Sequence, residues 1–240
     1  MNYRSTWVFA GSLRRRALLV LALVAALSAC LPAPADAPPV ALPAPTVDNP
    51  KQAGRPQTAV FGGGCFWGMQ AVFEHVRGVR GVLAGYSGGS RRTADYQDVE
   101  TGSTGHAESV QVTFDPDQLS YGELLRIYFS VAHDPTELNR QGPDTGTQYR
   151  SVIFYADDTQ HHIAESYITQ LTQQHAFRQP IVTALEPLKG FYRAESYHQD
   201  YYLKNPDAAY IVVNDLPKIR NLQTLFPADY RGSPTTVGAL

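Results

Sequence analysis

The feature that most constrains this sequence is a run of three glycines between an apolar segment and an amphipathic one. Residues 58–61 form a short apolar run, Gly62-Gly63-Gly64 follow it, and residues 66–76 then carry apolar side chains at helical spacing. This pattern predicts a strand, a tight turn and the start of a helix. Cys65 lies at the turn, so the predicted fold places a thiol at the beginning of a helix.

Further strands and helices follow along the chain. Residues 106–114 alternate apolar and polar side chains, as a half-buried strand does, and Ser120 with Glu123 forms a capping box for a helix. Other apolar runs predict strands at 79–86, 149–155 and 181–186, and helices at 158–174 and 194–203. We therefore predict an α+β fold, a two-layer α/β sandwich with a ferredoxin-like mixed sheet and an irregular C-terminal tail.

The first thirty residues predict an export signal. Arginines precede an unbroken apolar run at residues 17–26, and Leu27-Ser28-Ala29-Cys30 closes it. The run is shorter than the roughly 20 residues that a membrane-spanning helix needs. The segment resembles a bacterial lipoprotein signal, which implies lipidation of Cys30 and a membrane-anchored protein whose main domain is periplasmic or otherwise extracytoplasmic. Ordinary secretion is the alternative.

The rest of the chain divides into two parts. Residues 31–55 are dominated by Pro, Ala and Val without periodicity, which predicts an extended tether. Residues 56–240 are long enough for one domain with a sizeable core, and we expect this to be the catalytic domain. The formal net charge is only −2 and the cations are not clustered, so nothing indicates a nucleic-acid partner.

The chain has two cysteines, and lipidation of Cys30 would leave Cys65 alone. The domain could then form no internal disulfide, although an exported protein meets an oxidising compartment. A lone thiol there favours a chemical role, and a small buried structural cysteine is the alternative. Unpaired amides and the positive end of a helix dipole predict a lowered pKa for Cys65.

A carboxyl group on the predicted strand at residues 106–114 is a candidate proton donor for chemistry at the thiol. Glu108 falls on the same face as Val110 and Val112, so we expect it to lose solvation. Loss of solvation favours the neutral, proton-carrying form of a carboxyl near neutral pH. The alternative is an exposed charge at the end of a strand.

Several short segments, in one order along the chain, resemble those of the A-type peptide methionine sulfoxide reductases. They are Gly64-Cys65-Phe66-Trp67-Gly68, Gly85-Tyr86-Ser87-Gly88-Gly89, Gly105-His106-Ala107-Glu108, His133-Asp134-Pro135-Thr136, Arg140-Gln141-Gly142, Gly146-Thr147-Gln148-Tyr149-Arg150-Ser151 and Ala194-Glu195-Ser196-Tyr197-His198-Gln199. The resemblance covers residues 58–202. It implies reduction of methionine S-sulfoxide, free or in proteins, to methionine, and hence protein repair after oxidative stress.

The resemblance also implies roles for individual residues. Cys65 would attack the sulfoxide sulfur and become a sulfenic acid, with Glu108 as the acid. Tyr96 and Tyr149 correspond to two tyrosines that donate hydrogen bonds to the sulfoxide oxygen. Phe66 and Trp67 would hold the methyl group and Asp144 would fix the substrate. We expect only framing hydrogen bonds, and no metal site, from His106, His133 and His198.

This chain departs from many members of that family in its thiols. It has no cysteine after Cys65, and Glu100 stands where some relatives carry another cysteine. We therefore expect no bound cofactor and an external thiol reductant, which could be thioredoxin-like, glutaredoxin-like or a small thiol. The other expected partners are oxidised proteins or peptides and, through the lipid anchor, a membrane.

Two other functions are compatible with a lone reactive cysteine. A cysteine hydrolase would need a histidine within hydrogen-bond reach of Cys65 and an oxyanion hole. A non-catalytic module that binds methionine-rich peptides would tolerate loss of the thiol.

Overall fold

The structure of the chain is a computed structural model that describes Met1 and residues 40–237. Most of the predicted signal peptide, with Cys30, and residues 31–39 of the predicted tether lie outside the described residues. Within the part that is described, no helix combines the length and the apolar character needed to cross a membrane.

The described residues contain eight strands. In order they are β1 (Gln57–Gly62), β2 (Val79–Ser87), β3 (Ala107–Phe114), β4 (Arg140–Gln141), β5 (Asp144–Thr145), β6 (Val152–Tyr155), β7 (Ala184–Pro187) and β8 (Phe191–Arg193). Strands β4 and β5 form a separate hairpin, and the other six form one sheet in the order β7-β6-β1-β3-β2-β8. Only β6 and β7 run parallel; the other neighbours are antiparallel.

The helices are α1 (Phe66–Glu74), α2 (Tyr96–Glu100), α3 (Tyr121–Ile127), α4 (Asp158–Gln173), α5 (Tyr201–Lys204) and α6 (Leu216–Leu225). A π-helical turn follows α3, and another precedes α6. The predicted capping box is confirmed at α3: the Glu123 amide donates to Ser120 Oγ over 3.1 Å, and the Ser120 amide donates to the Glu123 carboxylate over 2.9 Å. These two bonds satisfy two amides that the first helical turn would otherwise leave unpaired.

Alternation along the strands divides the buried side chains between the two faces of the sheet. Val110, Val112 and Phe114 of β3 belong to the main core that the helices cover. The opposite face carries a smaller buried cluster that includes Val60 and Phe154. The prediction of an α+β fold with a mixed sheet is therefore confirmed.

The C-terminal tail is more regular than predicted. Residues 211–225 are helical, first as a π-turn and then as α6, where an irregular tail was expected. Only Ile219 and Leu222 of α6 are buried, so the apolar stripe is too sparse to stand out in the sequence. The segment predicted as a helix at 194–203 is mostly turns, and helical structure is limited to α5.

The predicted tether ends earlier than Arg55. Residues 40–55 contain no helix or strand, as expected, but they lie on the domain. The Leu42 amide donates to Ser130 Oγ over 3.1 Å, and the Asp48 carboxylate accepts from the Gly122 amide over 2.8 Å at the start of α3. Composition identified an extended segment, but it did not reveal that backbone groups and one aspartate would dock it.

Glu74, the last residue of α1, is a buried carboxyl. Its side chain is fully buried, and neither carboxyl oxygen has a hydrogen-bond partner of good geometry within residues 40–237. Burial and the neighbouring Asp200 raise the pKa of Glu74 to about 10, with a smaller opposing effect from Lys204. The folded state therefore holds a proton on Glu74 at neutral pH, whereas the unfolded chain does not.

We expect the free energy of unfolding of Glu74→Gln to fall less than that of wild type as pH rises. In wild type, the raised pKa of Glu74 stabilises the folded state. This stabilisation is complete below the unfolded pKa near 4.5 and is lost as pH rises towards 10, because the folded state must then give up a proton that it prefers to keep. Urea unfolding midpoints at pH 6 and pH 9 measure the effect. The control is Glu165→Gln, at an exposed position of α4. An equal decline with pH in wild type and Glu74→Gln would contradict the prediction.

Candidate active site

Cys65 occupies the N-cap position of α1. Gly64 precedes it with φ of +91°, and a Cβ there would lie 2.6 Å from the Cβ of Gln141, so this turn requires glycine. The first amide of α1, from Phe66, donates to Glu108 Oε2 over 3.0 Å. The Cys65 side chain accepts no capping hydrogen bond from the helix, although the nearby Trp67 amide favours its charged form.

The structure brings all seven residues expected at the site into one pocket of about 260 Å³. The residues that line it are Cys65, Phe66, Trp67, Tyr96, Glu100, Glu108, Asp144, Tyr149 and Tyr210. Cys65 is 9% exposed, so its sulfur is reached mainly through this pocket. A thiol, a carboxyl and two phenols therefore face one small volume between aromatic walls.

The protonation of Cys65 differs from the prediction. Burial raises the pKa of the Cys65 thiol well above its usual value, and the nearby Glu108 and Asp215 raise it further. The Trp67 amide and Lys218 act in the opposite direction. The helix terminus does favour the thiolate, as expected, but the cost of removing a charged sulfur from water is larger. The Cys65 thiol therefore keeps its proton at neutral pH.

Glu108 has the protonation expected of an acid. It lies on the core-facing side of β3 and is 4% exposed. Burial raises its pKa to about 8, the Phe66 amide partly opposes this, and the charges of Asp144 and Glu100 raise it again. The carboxyl is therefore neutral at pH 7. Because Oε2 accepts from Phe66, the other oxygen is available to carry the proton.

The two tyrosines of the pocket remain protonated. Burial raises the pKa of Tyr96 to about 12, with added effects from Glu100, Glu108 and the Cys65 thiol. Burial also raises the pKa of Tyr149, and Glu108 and Asp144 contribute in the same direction. Both hydroxyls can therefore donate hydrogen bonds to an acceptor in the pocket throughout the physiological pH range.

Several contacts hold the rings of Phe66 and Trp67 in place beside the pocket. Trp67 donates from Nε1 to His198 Nδ1 over 3.1 Å, and its ring stacks on Tyr201 with centroids 3.8 Å apart and planes within 8°. Phe66 lies 4.9 Å from the His198 ring and 5.8 Å from the Tyr86 ring. These contacts fix the position of an apolar surface beside the sulfur.

Sequence reasoning missed one residue of the pocket and assigned no role to another. Tyr210 lines the pocket, packs edge-on against Trp67 and donates its hydroxyl to Asp144 Oδ2. It lies in the tail that was predicted to be irregular, and no local pattern marks it. Glu100 was noted only as a missing cysteine, yet its side chain lines the same pocket.

The three histidines of the matched segments act as framing residues. His106 accepts from the Gly89 amide over 3.2 Å and donates to the Ser90 carbonyl over 3.0 Å. His133 donates from Nδ1 to the Tyr128 carbonyl over 3.1 Å, and burial lowers its pKa to about 3. His198 holds Trp67, as described above.

Among residues 40–237, no histidine lines the pocket. The pocket formed by these residues therefore lacks the histidine base that a cysteine hydrolase needs beside its thiol. The same residues contain no group of three His, Cys, Asp or Glu side chains that could hold a metal ion.

Comparison with known proteins gives one consistent result. Residues 57–229 match the family model described as peptide methionine sulfoxide reductase. Peptide methionine sulfoxide reductase MsrA 2 of Mesorhizobium japonicum is 57% identical over 187 residues, which are 78% of this chain and 96% of the relative. A protein of the same description from Synechocystis is 52% identical over 185 residues, which are 76% of this chain and 86% of the relative.

Solved structures also resemble the fold. Reduced Mxr1 from Saccharomyces cerevisiae superposes with a TM-score of 0.58 at 30% identity, covering 68% of this chain and 92% of that one. Methionine sulfoxide reductase A of Corynebacterium diphtheriae gives a TM-score of 0.54 at 33% identity, covering 73% and 92%. Since the family model spans most of the domain and the relatives match over nearly their full length, the chain belongs to the peptide methionine sulfoxide reductase family.

Proposed function

We propose that this chain reduces methionine S-sulfoxide, free or in proteins, with Cys65 as the attacking sulfur and Glu108 as the proton donor. Family membership makes the chain an oxidoreductase that acts on methionine sulfoxide through cysteine chemistry. The observation that carries the residue assignment is that the thiol and a neutral carboxyl line one pocket of about 260 Å³. The S epimer is taken from the family resemblance.

The atoms and protons of the proposed half-reaction between Cys65 and the sulfoxide balance within the pocket. The Cys65 sulfur attacks the sulfoxide sulfur, and Glu108 gives its proton to the oxygen as negative charge develops there. The oxygen is then transferred to Cys65, which becomes a sulfenic acid, and methionine leaves as a thioether. The thiol proton replaces the proton that Glu108 gave up, so the half-reaction converts thiol and sulfoxide into sulfenic acid and thioether without net proton exchange.

The remaining pocket residues bind the substrate. Tyr96 and Tyr149 supply two O–H donors for the sulfoxide oxygen, which strengthens as an acceptor during attack. Phe66 and Trp67 present the apolar surface that accepts the methyl group on the sulfur. Asp144, with its carboxylate held by the Tyr210 hydroxyl, fixes the polar part of the substrate.

An external thiol completes the cycle. The sequence has no cysteine after Cys65 to attack the sulfenic acid. A first external thiol condenses with the sulfenic acid to give a mixed disulfide and water, and a second thiolate releases Cys65 and forms the external disulfide. A thioredoxin-like protein, which holds both thiols, and a small thiol used twice have the same chemistry.

We also propose that the chain is exported and anchored to a membrane through a lipid on Cys30. The support is in the sequence: arginines, an apolar run at residues 17–26, and small residues before the cysteine. Residues 1–30 would be the signal, and the folded body would be extracytoplasmic. Two or more acyl chains would make the attachment firm.

The proposed reaction predicts consumption of one epimer. We expect the purified chain with dithiothreitol to convert only the S epimer of a peptide methionine sulfoxide, because the pocket positions one arrangement of methyl, oxygen and side chain around the sulfur. Chromatographic separation of the epimers measures the result. Equal loss of both epimers would reject the assignment.

Cys65→Ala is the matched control. It should abolish the conversion, whereas wild type after one turnover without reductant should react with dimedone at Cys65, because no internal thiol consumes the sulfenic acid. Undiminished activity in Cys65→Ala would exclude Cys65 as the nucleophile.

The assigned acid predicts a pH signature. Glu108→Gln should be slower by about 10²-fold near pH 7, as expected for loss of a general acid. The ratio of the wild-type rate to the variant rate should fall as pH rises through about 8, because only the protonated carboxyl helps and its pKa is about 8. Steady-state rates from pH 6 to pH 10 measure this ratio.

Glu100→Gln provides the control for a carboxyl of the same pocket. The rate of Glu100→Gln should still decrease as Glu108 loses its proton. This decrease should occur at lower pH than in wild type, because the Glu100 charge raises the pKa of Glu108. A ratio of wild-type rate to Glu108→Gln rate that stays constant from pH 6 to pH 10 would assign the pH dependence of the wild-type rate to another group.

The proposed anchor predicts that Cys30→Ala abolishes incorporation of labelled palmitate and moves the protein from the membrane fraction to the soluble fraction. Cys65→Ala, which removes the other cysteine, should retain both label and location. Membrane association that survives Cys30→Ala would contradict the lipid anchor. Labelling and fractionation of expressing bacteria measure both properties.

A further inference from the structure

The start of α6 lies directly against the first turn of α1. An added Cβ at Gly68 would lie 3.0 Å from Lys218 Nζ and closer still to Asp215 Oδ1. Lys218 and Asp215 contact each other at 3.5 Å. The helix turn that carries Cys65 and Trp67 therefore rests on one carboxylate and one ammonium group, and glycine at position 68 allows this close approach.

The burial of this pair is unusual for a structural contact. Asp215 is fully buried, and its Oδ2 has no hydrogen-bond partner among the described residues, while the Lys218 side chain is 20% exposed. A buried carboxylate with one oxygen unpaired costs stability, and a single cation at 3.5 Å offsets only part of it. Burial raises the pKa of Asp215 to about 6 although Lys218 opposes this, so the group is mainly ionised at pH 7.

We propose that Lys218 is a positioning residue whose positive charge stabilises the negative charge of the Cys65 sulfur, and that the neighbouring Asp215 opposes this effect. This inference rests on Cys65 being the reactive thiol of the proposed function. The pair acts across the first turn of α1, where both charged groups lie against Gly68. In this arrangement Lys218 favours the thiolate and Asp215 disfavours it, in agreement with their opposite effects on the Cys65 pKa.

The cation has a use in each half of the cycle. When Cys65 attacks, its sulfur must lose a proton that burial otherwise retains. When an external thiolate attacks the mixed disulfide at the external sulfur, the Cys65 sulfur leaves with the electron pair of the broken S–S bond. A sulfur that leaves as a better-stabilised anion leaves faster, so Lys218 would assist a chain that depends on external thiols for every turnover.

The test is the pH dependence of Cys65 alkylation by iodoacetamide, which needs no methionine sulfoxide. Lys218→Met should shift the profile to higher pH and slow alkylation at pH 7 by about tenfold, since one pKa unit changes the thiolate fraction tenfold. Asp215→Asn should shift the profile to lower pH and accelerate alkylation by a similar factor. Lys218→Arg keeps the charge and should remain close to wild type.

Opposite shifts for Lys218→Met and Asp215→Asn distinguish a charge effect from a packing effect, which would move both variants in one direction. Arg220→Met, at an exposed position of the same helix, is the matched control and should not shift the profile. The other ionisable groups around the sulfur are unchanged in all variants: Glu108, Tyr96, Tyr149, Asp144, Glu100 and Tyr210.

Shifts in the same direction, no shift, or a shift in Arg220→Met equal to that in Lys218→Met would overturn the inference. Thiolate absorbance in the ultraviolet, with Cys65→Ser as the blank, gives a second measurement that does not depend on access of the reagent. If these results fail while wild type still reduces one epimer, only the role of Lys218 and Asp215 is lost. If wild type reduces neither epimer, the proposed function fails first.

Discussion

The site depends on how the N-terminus of one helix acts on two ionisable groups. The first amide of α1 donates to Glu108, and the second, from Trp67, favours a charged Cys65 sulfur without a capping hydrogen bond to it. Both effects favour the charged forms, but burial of both groups favours the neutral forms and has the larger effect. The result is a protonated thiol beside a protonated carboxyl, which suits a reaction that must bring a nucleophile and a proton to one S=O group.

The C-terminal part of the chain packs against the site and supplies contacts that hold its residues in place. Tyr201 stacks on Trp67, Tyr210 holds Asp144, and Asp215 supports the turn at Gly68. In this chain, therefore, the segment from α5 onward contributes packing and charge to the pocket, and it contributes no second thiol. Loss of regular structure after residue 204 would remove one wall of the pocket.

Local patterns predicted the central elements of the fold well. Three glycines before an amphipathic run identified the turn at Cys65, and alternation along β3 placed Glu108 on the core-facing side. The pKa of Cys65 was predicted in the wrong direction because helix position is visible in the sequence, whereas burial and the approach of Asp215 depend on tertiary structure. For the same reason Tyr210, from a distant segment, was not identified.

The docking of the segment before β1 has a spatial consequence. Since Leu42 and Asp48 are fixed to the domain, only residues 31–41 separate Cys30 from the first docked residue. Eleven residues extend to at most about 40 Å, at roughly 3.6 Å per residue. An enzyme anchored at Cys30 would therefore work within a thin layer above the lipid surface, and its substrates would be the neighbours in that layer rather than the whole compartment.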